Sequence, residues 1–94
     1  MKRFYLLRHE DLHSNSGTGV VAEGVIFDDG TGAFTWLTPI KTVTTFWKVG
    51  EVKKLHGHEG RTEVIIEGKD KRFEWCQEQV KIKKDLRDRK EKDE

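Results

Sequence analysis

Two polar loops gather glycines, hydroxyls and imidazoles at short intervals. Ser14-Asn15-Ser16-Gly17-Thr18-Gly19 runs into Val20, and His56-Gly57-His58-Glu59-Gly60 runs toward Thr62. Glycine-rich turns can aim successive backbone N–H groups at one anion. Ser16, Gly17, Thr18, Gly19, His56 and His58 therefore form a candidate site for a small anionic ligand or nucleotide, on condition that both loops lie at one end of a sheet. The first loop is not a P-loop, because no Gly-Lys-Ser/Thr follows. It is not a dinucleotide fingerprint either, since that motif opens a helix and this loop opens a strand. The alternative is a plain connection whose serines and asparagine hydrogen-bond within their own turns.

The four histidines invite the metal question. His56 and His58 stand two apart, with His9, His13 and Cys76 elsewhere and no Cys-x-x-Cys. A zinc site wants three or four ligands at recognisable spacing, so no metal and no other cofactor is expected. A triad can be written from Ser16, His56 or His58, and Glu23 or Asp28. Yet no nucleophile elbow is present, and the expectation is a protein that is not an enzyme.

A third kind of chemistry is contact. Residues from Asp70 onward contain no Gly or Pro and many Lys, Glu, Asp and Arg, a composition that favours helix. At 100° per residue Phe73, Cys76 and Val80 form one apolar stripe, and Trp75, Ile82 and Leu86 form another on the opposite side. One stripe can pack on a sheet. The other marks association, and Trp75 is expected to be buried against a second chain or against a strand. A competing reading pairs 72–75 with the preceding strand as a hairpin.

The strand aromatics Phe4, Tyr5, Phe27, Phe34, Trp36, Phe46 and Trp47 are mostly needed for a core in so short a chain, with Trp36 and Trp47 the ones to face a partner. Aromatics beside Lys81, Lys83, Lys84, Arg87 and Arg89 also suit a nucleic-acid surface. Asp85 and Asp88 interrupt that basic stretch, and 18 basic residues against 17 acidic ones give a net charge of only +1. Nucleic acid is thus the second choice as partner.

The strands and helices around these residues follow from hydropathy. Ninety-four residues make one small core. Strands are expected at 3–9, 20–27, 33–37, 41–47 and 61–67, where β-branched and aromatic residues cluster in short runs. Gly24 inside the second run suggests a bulge or a close backbone approach. Asp28-Asp29-Gly30 signals a tight hairpin, and Val49, Val52 and Leu55 space a short helix over 48–56 that Gly57 would end. The fold expected is α+β, mainly β: a small antiparallel sheet or partly open SH3-like barrel, with a short helix before the last strand and a C-terminal helix. Residues 1–68 form the β domain, and 69–94 form the charged helix with a frayed end. The basic start carries only four apolar residues, too few for a secretory signal, and no run spans a membrane. With one cysteine and no disulfide to form, a cytoplasmic location is expected.

The runs Arg3-Phe4-Tyr5-Leu6-Leu7-Arg8, Ser16-Gly17-Thr18-Gly19-Val20-Val21-Ala22-Glu23-Gly24-Val25, Asp29-Gly30, Trp36-Leu37 and His56-Gly57-His58 resemble a group of small uncharacterised proteins of bacterial, archaeal and phage genomes. The likeness covers 3–67. Glu59 stands where the group more often has glycine. The resemblance implies a mobile-element origin and transfers no activity. The resulting expectation is a non-catalytic binding module, an accessory protein of a phage or other mobile element, acting through protein–protein contacts and forming a homodimer. A nucleic-acid-binding small β-barrel is the alternative, and the glycine-loop ligand site is a second one.

Overall fold

Alternation of side chains along the first strand sets up two cores, one on each face of a sheet. Phe4 and Leu6 point one way and Tyr5 and Leu7 the other, and all four are buried. A computed structural model describes residues 1–9, 19–38, 42–56 and 62–92, with the backbone alone at 56 and 86–92. The elements are β1 (Lys2–Arg8), β2 (Gly19–Ile26), β3 (Gly32–Trp36), β4 (Val43–Phe46), α1 (Val49–His56), β5 (Thr62–Ile66) and α2 (Phe73–Lys92). They form an open antiparallel sheet in the order β4-β3-β2-β1-β5, with the last strand returning beside the first.

Each expected strand is present within a residue or two of its expected ends. Residues 72–75 do not add a sixth strand. Asp70 ends that possibility by accepting a hydrogen bond from the Arg72 N–H at 2.9 Å, an N-cap contact that starts α2. Gly68, at φ 78°, makes the turn that precedes it.

The face under α1 is aromatic. Phe4 meets Phe46 and Phe34 edge-on at 5.7 and 6.5 Å, and Phe34 meets Trp36 at 5.3 Å. Gly24 and Gly32 leave room for these rings. A Cβ on Gly24 would stand 2.6 Å from the Phe4 ring, and one on Gly32 would stand 2.2 Å from the Val25 carbonyl oxygen. Val52 of α1 closes this core.

On the other face Tyr5, Leu7, Val20 and Ile65 receive Phe73, Cys76 and Val80 of α2. The strand pairing slips between Leu6 and Leu7, so that Leu6 faces Ala22 but Leu7 faces Val20. Val21 is the extra residue of a β-bulge. Gly24 is the close approach and not the bulge. The expected Asp-Gly hairpin is present: Phe27 N–H donates to Thr31 O at 2.7 Å, and Asp29 Oδ1 accepts from the Thr31 N–H and hydroxyl.

Candidate functional site

α2 is fastened to the sheet at its start and again at Lys83 and Lys84, halfway along its length. At its start the Arg72 guanidinium grips Glu63 of β5 with two bonds of 2.8 and 3.0 Å, and Asp70 with two of 3.0 and 2.8 Å. His9 adds a further contact to Glu63. Hydrogen bonding to Arg72 holds the Asp70 carboxyl at about 2, and Arg72 first, then His9, do the same for Glu63. Both are well below the usual carboxylate range.

Between these points the first turns of the helix are held by burial. Phe73, Cys76 and Val80 are 7%, 0% and 4% exposed, and the Phe73 ring lies 5.1 Å from that of Tyr5. Side chains such as Phe73 and Val80 contribute roughly 1.5–3 kcal/mol each when fully buried. Burial pushes the Cys76 thiol pKa up, which leaves it a small apolar packing group.

Two lysines complete the attachment. Lys83 donates to the Val20 carbonyl oxygen at 2.6 Å, and Lys84 pairs with Glu23 at 2.9 Å. Desolvation lowers the Lys83 pKa. Two of the five basic residues that would build a nucleic-acid surface are therefore turned onto the protein itself. Most of the aromatics are likewise core. Trp36 is half-buried with the Arg8 guanidinium 5.8 Å over its ring, while Trp47 is 78% exposed.

The outward side of α2 is different. Trp75 is 51% exposed and Ile82 45%. Seven residues apart, they differ by about 20° around the helix axis, so they form one row. Leu86 continues that row by its position in the helix, but its side chain lies outside the described residues. No described strand covers Trp75. The two-stripe arrangement read from the sequence is thus present, with the outer stripe open on the single chain.

Beside α2 the sheet is hollowed. A 380 Å³ depression lies between Tyr5 and Glu23 on the sheet and Gln77, Lys81 and Lys84 on the helix. It continues into a 270 Å³ hollow over β2, β3 and β4, lined by Glu23, Val25, Ala33, Thr35 and Val43. Arg3, Tyr5 and Glu23 line both. The strand alternation could have pointed to these residues, because Glu23 and Val25 share a face, as do Ala33 and Thr35. Knowing that α2 leaves that face free requires the sheet order, which no local pattern supplies.

Of the loop residues, only Gly19 is described in full, at φ 87° in the first position of β2. Ser16, Gly17, Thr18 and His58 lie outside the described residues, and His56 is placed only by its backbone at the end of α1. Of the other triad candidates, Glu23 is paired with Lys84, and Asp28 accepts from the N-terminal ammonium at 2.6 Å. Among the described residues no three of His, Cys, Asp and Glu are grouped to hold a metal ion. Among them, too, no helix is long and apolar enough to cross a membrane.

The model of the Acb5 phage protein family matches residues 1–67. The chain belongs to the Acb5 phage protein family. The match covers the sheet and α1 and ends before α2. No curated protein and no solved structure matches the chain. The phage association implied by the sequence resemblance is therefore carried by the family, while the family's description adds no ligand or partner.

Proposed function

We propose that this Acb5-family protein is a non-catalytic binding module that works through protein–protein contacts, with the outward row of α2 as its contact surface. One observation carries the reading. The inner stripe of α2 already fixes the helix to its own sheet, yet Trp75 and Ile82 remain about half exposed. A tryptophan combines large apolar area with few rotatable bonds, which makes it a frequent anchor of interfaces. Its exposure here brings no stability to the single chain.

The same row makes self-association the first contact to measure. Light scattering over ~1–100 μM protein is expected to show a concentration-dependent rise above the monomer mass. Titration with single-stranded and duplex oligonucleotides at ~50 mM salt is expected to show no binding. Monomer at every concentration, together with oligonucleotide binding, would replace this reading with the nucleic-acid one.

A further inference from the structure

Among the described residues, two apolar surfaces that the fold leaves open, the outward row of α2 and the bare half of the sheet, lie side by side on one face, while Trp47 and Leu55 are exposed elsewhere. α2 covers β5, β1 and the start of β2 through Ile65, Tyr5, Leu7 and Val20. No described element packs on the adjoining half, where Val25, Ala33, Thr35 and Val43 share the face of Tyr5. Val43 is 72% exposed. That half is a shallow apolar trough bordered by Glu23, and the helix next to it presents an apolar row pointing away from the sheet.

We infer that the occupant of the trough is the α2 helix of a second copy, in a two-fold dimer where each α2 lies between its own sheet and its partner's. This rests on the protein-contact reading above and adds the surface that receives Trp75 and Ile82. A two-fold axis parallel to the strands, placed between the covered and uncovered halves, brings each helix over the other copy's uncovered half. Both seats form at once, and the two helices become one shared layer between two sheets. Such a closed, self-complementary contact is the usual form of a homodimer.

Area favours the reciprocal arrangement over a one-sided partner. A helix is about 10 Å across, and three strands span about 14 Å. Laid along about 20 Å, the helix covers on the order of 200–250 Å² of each surface in one seat. A single seat, counting both surfaces, falls well short of the ~1,000 Å² expected of a specific interface. Two reciprocal seats come to about 800–1,000 Å², close to that size.

The test uses Trp75→Glu on the helix and Val43→Glu on the sheet, with Val43→Lys as a second sheet variant of opposite charge. Both positions are exposed on the single chain, so circular dichroism is expected to match wild type. Each variant alone is expected to weaken the dimer by about 30-fold or more, as for loss of a central interface residue. Mixing Trp75→Glu with Val43→Glu is expected to restore part of the dimer, because the Val43→Glu helix meets an intact Trp75→Glu sheet in one seat. A dimer broken by Trp75→Glu but untouched by both Val43 variants would overturn the inference and leave the helix row as a contact surface. A wild-type chain that stays monomeric would overturn the inference as well, and with it the self-association that the protein-contact reading expects first.

Discussion

The Lys83 ammonium stands 2.6 Å from the carbonyl oxygen of Val20, at the bulge where β2 gains its extra residue. The bulge interrupts the ladder between β1 and β2, and the lysine supplies a charged donor to a carbonyl at that break. A sheet irregularity and a helix position sixty-three residues away are thus one feature.

Lys83→Met keeps the apolar stem and removes the donor. It is expected to lower stability by about 1 kcal/mol, the scale of one partly exposed hydrogen bond. Urea unfolding followed by circular dichroism measures this. An unchanged midpoint would mean that water replaces the ammonium without loss.

Gly32→Ala addresses the aromatic face. Its new Cβ would stand 2.2 Å from a backbone oxygen and 2.5 Å from the Phe46 ring. The ring can turn aside, but the Val25 carbonyl is part of the ladder. Overpacking of this kind costs about 1–3 kcal/mol, and the upper end is expected because backbone must move. A wild-type melting temperature would show that β2 and β3 separate at no cost.

Acid should loosen the start of α2 before the rest. Glu63 and Asp70 titrate at about 2 in the folded chain, against ordinary values of 4.5 and 3.8. Because both values are depressed by folding, their contribution is present above the ordinary values. It is lost as pH falls through about 4 to about 2. Both groups are partly exposed, so salt should shrink the effect. Relative to the intrinsic exchange rate at each pH, amide protection is expected to fall at positions 72 and 73 over this range, and to fall far less in Arg72→Met, where the grip is already gone. Equal pH dependence in the two proteins would refute the role given to Arg72.

The strands were legible because short β-branched and aromatic runs are separated by clear turn residues, as at Asp28-Asp29-Gly30. α2 was legible as two apolar stripes from angular arithmetic alone, and Phe73, Cys76 and Val80 are indeed the buried one. What stayed hidden depends on distant pairing. The return of β5 to β1 brings Glu63 into reach of His9 and sets Arg72 against it. The same return decides which half of the sheet α2 covers and which half stays bare. Expected boundaries also ran long at β4, where 41–47 shortens to Val43–Phe46 beyond Pro39.

If the outward row of α2 serves contact and not the monomer's core, Trp75→Glu separates the two roles. Its molar mass by light scattering at ~100 μM, with circular dichroism on the same sample, should show a folded monomer where wild type shows a dimer. A Trp75→Glu chain that is unfolded at room temperature would place Trp75 in the monomer's core, and one that keeps the wild-type mass would show that the row makes no contact between copies.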